Sequence, residues 1–211
     1  MPDLDRLLLA VIDGNWKSAA AVTQAAIDAG VPPLTIVTDY LVRAMDEVGR
    51  RFKCEDYFVP EMLLSARAMK ASMEIVRPLL IASGAEPVGR VVIGTVKGDL
   101  HDIGKNLVAS MLEGGGFEVI DLGADVAPER FIAAATERRA NMVALSALLT
   151  VTMPSMKTTI EAFRSAGMRE SVKIMVGGAP VTQQYAEAIG ADGYSESAGA
   201  AVALARQLVG L

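Results

Sequence analysis

The feature that most restricts how this 211-residue chain can fold is a change of apolar period at Ser83-Gly84-Ala85-Glu86-Pro87. Upstream, the apolar side chains keep helical spacing. Leu34, Val37, Leu41, Met45, Val48 and Phe52 form one stripe, and Met62, Ala66, Met69, Met73, Val76 and Leu80 form another. Residues three and four apart share one face of a helix, so both stripes predict amphipathic helices turned toward a common interior. Shorter helices are expected over residues 4–12 and 16–29, with Asn15 as N-cap of the second and Gly30 then Pro32-Pro33 as its stop. Together these predict a four-helix bundle over residues 1–84.

Downstream, short β-rich runs alternate with helical ones. Strands are expected over residues 90–95, 118–121, 142–146 and 172–176, with a weaker fifth near Asp192-Gly193-Tyr194. Helices are expected over 103–112, 128–138, 155–166, 181–189 and 198–208. Parallel strands need crossover connections, so this alternation predicts an α/β domain over residues 88–211, a doubly wound parallel sheet with helices on both faces. Such sheets bind ligands beyond the carboxyl ends of their strands.

Composition narrows the function classes. At 52% hydrophobic and 21% charged residues the chain can bury two cores. A net charge of −5, with Lys and Arg scattered, provides no basic stripe for a phosphate backbone, so no nucleic acid partner is expected. The start, Met1-Pro2-Asp3-Leu4-Asp5-Arg6, is acidic where a secretory signal is basic. The apolar runs fall well short of the roughly 18–20 residues that span a bilayer. The expectation is a cytoplasmic protein with no membrane partner. Cys54 is the single cysteine; it has no partner for an internal disulfide and is expected to pack as a small hydrophobe.

The single histidine, His101, falls in the loop after the first strand, Val96-Lys97-Gly98-Asp99-Leu100-His101-Asp102-Ile103-Gly104-Lys105-Asn106. A neutral imidazole ligates a transition metal through one ring nitrogen while the other needs a partner that fixes the tautomer, and Asp99 is placed to supply it. Gly104 opens the next helix without a side chain, which lets a bulky ligand lie against the backbone. Two more small or hydroxylic segments follow later strands: Ser146-Ala147-Leu148-Leu149-Thr150-Val151-Thr152 and Gly177-Gly178-Ala179-Pro180. Each alone has a bland explanation, as a helix cap, hydroxyls satisfying carbonyls, or a tight turn. Their convergence on one sheet edge argues for a ligand site. Ser146, Thr150 and Thr152 are then hydroxyls for a ligand or for Asp99. Gly177 and Gly178 clear a slot for a flat group, and a side chain placed at Gly178 is expected to fill that slot without harming the fold.

These segments resemble the cobalamin-binding domain of methionine synthase and of the corrinoid proteins of anaerobic methyltransferase systems. The resemblance covers residues 94–106, Asp121-Leu122-Gly123, Ser146-Ala147-Leu148 and Val176-Gly177-Gly178. It extends to residues 57–70, similar to the helical cap of the same proteins. It implies a helical cap followed by a Rossmann-like, flavodoxin-like domain that binds cobalamin, as methylcobalamin or a related corrinoid, base-off with His101 on cobalt. Asp99 is then the partner of His101, and Thr152 stands where methionine synthase has a serine completing the relay. A proton is expected to enter or leave at Asp99 and Thr152. Gly104, Ser146, Leu148, Gly177 and Gly178 line the slot for the displaced nucleotide tail. Gly98, Asp102, Ile103, Thr150 and Ala179 are expected against the cofactor. From the cap, Phe58 is expected over the methyl group with Met62 nearby, although the Met62, Met69, Met73 stripe also reads as bundle interior.

The resemblance further implies a methyl carrier. Two domains without a third leave no barrel for a methyl donor or acceptor, so the chain is not expected to catalyse alone. Its implied partners are a substrate-specific methyltransferase, a second methyltransferase that passes the methyl to a pterin or thiol acceptor, and a reductive activase. Two alternatives share parts of the pattern. A cobalamin-based sensor would carry a DNA-binding domain, which is not visible. The small subunit of an adenosylcobalamin mutase shares Asp99-x-His101-x-x-Gly104 but normally lacks the cap.

Overall fold

The computed structural model describes residues 4–82 and 87–210. The chain divides into two compact units, residues 1–87 with 113–116 and residues 88–112 with 117–211. Of the expected linker, residues 83–86 lie outside the described residues.

In the first unit α1 (Asp5–Ile12) and α2 (Trp16–Asp28) are followed by a continuous helical run. It comprises α3 (Pro33–Thr35), a π-helical stretch Ile36–Leu41 and α4 (Val42–Lys53); α5 (Val59–Ala82) completes the bundle. Asn15 caps α2, its Oδ1 accepting the Ser18 N–H at 3.1 Å. Gly30 stops α2 with φ +80°, and Pro33 enters at the first helical turn, where its missing N–H costs nothing. Val37, Leu41, Met45, Val48, Met62, Ala66, Met69 and Val76 of the two stripes are buried. Leu34 is instead 53% exposed. The wider i→i+5 turn of the π-helical stretch shifts the helical phase between Leu34 and the residues after it. Tyr57 Oη and Ser65 Oγ both donate to the Ile12 carbonyl, at 3.2 and 2.8 Å, fixing the start of α5 to the end of α1. Cys54, expected to be packed, is exposed: it lies at the C-cap of α4, past the last turn that faces the interior.

The second unit alternates β1 (Arg90–Thr95), α6 (Ile103–Gly114), β2 (Glu118–Asp121), α7 (Pro128–Glu137), β3 (Met142–Ser146), α8 (Pro154–Ser165), β4 (Lys173–Gly177), α9 (Gln183–Ile189), β5 (Gly193–Ser195) and α10 (Ala198–Leu208). β4 and β5 each end one residue beyond their expected limits. α9 starts at Gln183 because Thr182 caps it, accepting the Tyr185 N–H at 3.1 Å. All neighbours pair in parallel in the order β2-β1-β3-β4-β5. Val91 to Thr95 of β1 are all buried, as a central parallel strand covered on both faces requires. Gly94 is required there: a Cβ would lie 2.8 Å from the ring of Phe131, which fills the core beneath.

The order reverses between β1 and β3, so the loops leaving these two strands diverge and open a crevice. The register places Thr95, Ser146, Gly177 and Ser195 side by side across β1, β3, β4 and β5. Four loops therefore leave the sheet from one row. Among the described residues no helix is long and apolar enough to cross a membrane.

Candidate cofactor site

The loop after β1 is held open by backbone requirements. Gly98 has φ +86° and donates its N–H to Asp125 Oδ1 at 2.8 Å. Asp125, after β2, also gives its own N–H to the Asp99 carbonyl at 2.9 Å. Buried Thr95 donates its hydroxyl to the His101 carbonyl at 2.8 Å. These contacts present Asp99 inward and His101 outward.

Asp99 is fully buried. Its Oδ1 accepts the His101 backbone N–H at 3.0 Å and faces His101 Nδ1 at 2.8 Å. Its Oδ2 accepts the Leu148 N–H at 2.8 Å, the Leu149 N–H at 3.4 Å and the Thr152 hydroxyl at 2.7 Å. Burial alone would raise the Asp99 pKa. The donors from Thr152, His101 and Leu148 outweigh it and hold the carboxyl well below the usual carboxylate range. Asp99 is therefore ionised, which places the imidazole proton on Nδ1 and leaves the Nε2 lone pair uncommitted. The Leu149 carbonyl lies near the Thr152 hydroxyl at 2.8 Å, but it already accepts the Thr152 N–H at 3.0 Å, and the single hydroxyl proton is drawn to the anion.

The His101 side chain is half exposed and stands at one side of a cavity of about 550 Å³ in the second unit. His101, Asp102, Ile103, Gly104, Ser146, Leu148, Gly177, Gly178 and Ala179 all line it. The expected residues fall into three groups. The cavity brings these nine together. Asp99, Thr152 and Gly98 lie behind it and support His101 rather than the ligand. Thr150 is exposed on its loop and lies outside the lining. From the helical unit, Phe58 is 63% exposed whereas Met62 is fully buried. Met62 is thus a core residue, since a helix position facing the bundle interior cannot also present its side chain outward.

One glycine differs from its expected role. Gly178 has φ +137°, and a Cβ there would come within 1.8 Å of the Ala147 carbonyl oxygen. Its missing side chain is demanded by the neighbouring backbone, so a side chain at Gly178 disrupts the fold instead of filling the slot. A Cβ at Gly104, by contrast, meets nothing within 4 Å.

Several supporting residues had no role assigned from sequence. Lys105 is buried, its ammonium bridging both oxygens of Asp121 and reaching Asn106 Oδ1 at 2.6 Å. Asp121 Oδ1 in turn accepts the Gly123 N–H at 2.9 Å. This chain ties the first turn of α6 to the end of β2 and so steadies Gly104. Ser195, Glu196, Ser197, Ala198 and Ala201 complete the cavity beyond β5. The small-residue run Ser195 to Ala201 was the signal that could have found them, since it resembles the other three strand-end segments.

The donor set suits a metal cofactor. Among the described residues no group of three or more His, Cys, Asp or Glu side chains is placed to hold a metal ion. A single imidazole holds a metal firmly only where the other ligands arrive with a cofactor. Leu100 and Ile103, each 77% exposed, and Leu148, 41% exposed, line the same cavity as His101 and offer apolar surface suited to a large macrocycle. The cavity beside them accommodates a bulky appendage, with Gly104 open toward it. These residues fit a corrinoid.

The fold and site thus define a cofactor-binding domain of the doubly wound class with one imidazole nitrogen free for a metal. Comparison with known proteins identifies the family: the B12 binding domain family matches residues 89–203 and a second B12 binding domain family matches residues 3–77. The chain belongs to the B12-binding proteins. It is 41% identical over 210 residues to a corrinoid protein of Desulfitobacterium hafniense, covering 98% of this chain and 97% of that one. It is 46% identical over 195 residues to trimethylamine corrinoid protein 2 of Methanosarcina mazei, covering 92% and 89%. Among solved structures, the methanol:cobalamin methyltransferase complex of Methanosarcina barkeri matches with TM-score 0.85 and 31% identity, over 98% of this chain and 79% of that one.

The open space at Gly104 provides a direct test of the cavity. Gly104→Leu is expected to leave the apo fold intact, because replacing glycine in a helix gains about 0.5–1 kcal/mol of propensity. Cobalamin affinity, measured by absorbance titration of the apo protein, is expected to fall more than about tenfold through overpacking. Unchanged affinity would place the cofactor outside this cavity.

Proposed function

We propose that this protein binds its corrinoid base-off through His101 Nε2 and carries a methyl group between a substrate-specific methyltransferase and a second one that serves a pterin or thiol acceptor. The observation that carries this reading is the buried Asp99 saturated by His101, Leu148, Leu149 and Thr152, which fixes the imidazole with Nε2 outward. The names of the relatives, corrinoid proteins of methylamine systems, support the same role.

When bound, the corrinoid supplies a cobalt centre able to accept and donate a methyl group. The chain's own residues orient and shield. Asp99 Oδ1 retains the Nδ1 proton and holds the ring plane, and Thr152 together with the amides of Leu148 and Leu149 keeps Asp99 ionised and immobile. Leu100, Ile103 and Leu148 offer exposed apolar surface that would exclude water once a corrinoid covers it. Lys105 and Asp121 hold the start of α6 in place. A reductive activase is a further partner in this reading, and the sensor and mutase alternatives gain no specific observation.

Partner dependence is the test. Corrinoid-loaded protein incubated alone with methanol or with mono-, di- or trimethylamine is expected to show no multiple turnover. Addition of the methyltransferase for one of these donors is expected to start methylation, followed by the cofactor's visible spectrum. Sustained turnover by the purified chain with a simple donor and acceptor would make it an enzyme in its own right.

A further inference from the structure

The cavity's polar lining falls toward its two sides, with His101, Asp102, Lys105 and Ser146 on the side of β1 and β3. Its middle is apolar, with Ile93, Leu107, Ala144, Leu145, Met175 and Val176 among its lining. The end beyond β5, the edge strand, carries Ser195, Glu196 and Ser197. Sheet order places this end three strands away from His101, whose loop follows β1.

Two side chains at that end keep hydrogen-bonding capacity, and Glu196 is exposed. Ser195 is spent, donating its hydroxyl to the Ser197 carbonyl at 2.6 Å. Ser197 Oγ accepts the Ala200 N–H at 3.2 Å as the cap of α10, which leaves its hydroxyl proton free to donate. Glu196 has no ion-pair or hydrogen-bond partner among the described residues. An uncommitted carboxylate acceptor and an uncommitted hydroxyl donor therefore sit next to each other at the wall farthest from His101.

We propose that Glu196 and Ser197 are specificity determinants for the lower base of the corrinoid, favouring a base whose rim carries a hydrogen-bond donor beside an acceptor, such as adenine. This rests on the cofactor reading above: with His101 as axial ligand, the cofactor's own base is displaced and must be housed. Adenine presents an exocyclic N–H donor to the Glu196 carboxylate and a ring nitrogen to the Ser197 hydroxyl. Dimethylbenzimidazole presents two methyl groups there. They satisfy neither group and displace part of the water from an exposed carboxylate, which disfavours them. Specificity of this kind, set by leaving polar groups unpaired against the wrong ligand, is the stronger form of discrimination.

The test is a titration of the full-length apo protein with two cobamides that differ only in the lower base, adenine or dimethylbenzimidazole. The adenine form is expected to bind about tenfold more tightly, the worth of one charge-assisted hydrogen bond at a half-open site. In Glu196→Leu the preference is expected to vanish or reverse, through a rise in affinity for the dimethylbenzimidazole form. Ser197→Thr keeps a hydroxyl cap on α10 and is expected to retain the preference. Equal affinities in the native protein, or a preference that survives Glu196→Leu, would overturn the inference and leave the cofactor reading standing. Failure of both cobamides to bind would overturn both.

Discussion

Replacing His101 by alanine is expected to lower corrinoid affinity about 100-fold or more and to abolish axial nitrogen ligation altogether. Loss of a residue that merely orients a metal ligand costs about 10–100-fold, and loss of the ligand itself costs at least as much. No second imidazole exists in the chain to replace it. The measurement is electron paramagnetic resonance of the cobalt(II) form. The native protein is expected to show nitrogen superhyperfine coupling, and His101→Ala, separated from unbound cofactor, none. Coupling that survives the substitution would assign the axial nitrogen to the cofactor's own base. The fold is expected to be unaffected, because the His101 side chain is half exposed and its one side-chain partner, Asp99, keeps four other donors. Asp99→Asn provides the contrast. It leaves the ligand in place but turns an amide donor toward groups that are all donors, so it is expected to lose both stability and affinity.

The second large effect is expected at Gly178, and it concerns folding. Gly178→Ala places a Cβ 1.8 Å from the Ala147 carbonyl oxygen, in a backbone conformation with φ +137° that L-residues rarely adopt. Neither atom can yield, because Ala147 is buried in the first turn after β3, where its N–H donates to the Gly177 carbonyl at 3.3 Å. The cost is expected to reach about 4 kcal/mol or more, the range reserved for strain and overpacking in a core. Urea unfolding of the apo protein, followed by far-ultraviolet circular dichroism, measures it. Gly177→Ala is the internal comparison. Its Cβ would stand 3.1 Å from the Ser195 carbonyl oxygen, a tight contact that a small shift relieves, so a cost of about 1 kcal/mol is expected. Equal costs at the two positions would show that the loop after β4 relaxes freely.

Periodicity alone carried most of the architecture. A stripe such as Leu41, Met45 and Val48 admits one kind of element, because only a helix brings residues three and four apart onto one face. The alternation of strands and helices after residue 88 likewise admits little besides a parallel sheet. Where local order departs from the regular helix, as at the π-helical stretch Ile36–Leu41, the pattern misplaced Leu34, since the period itself changes there. The chemistry of the site was legible for the same local reason: Asp99 and His101 are two residues apart, so their pairing needs no long-range information.

What the tertiary structure alone decided are the contacts between segments distant in the chain. Thr152 and the Leu148 amide reach Asp99 across 53 and 49 residues. Sequence placed them on the same sheet edge but could not say that Thr152 would bond Asp99 while Thr150 stayed exposed. Gly178 and Gly104 look alike in sequence, yet one clears the backbone of Ala147 and the other opens onto the cavity. Glu196 and Ser197 entered the site only because β5 lies in register with β4, Gly177 beside Ser195. A side chain's local neighbours follow from backbone period and are written in the sequence. Its distant neighbours follow from strand order and register, which the whole chain settles at once as its core packs.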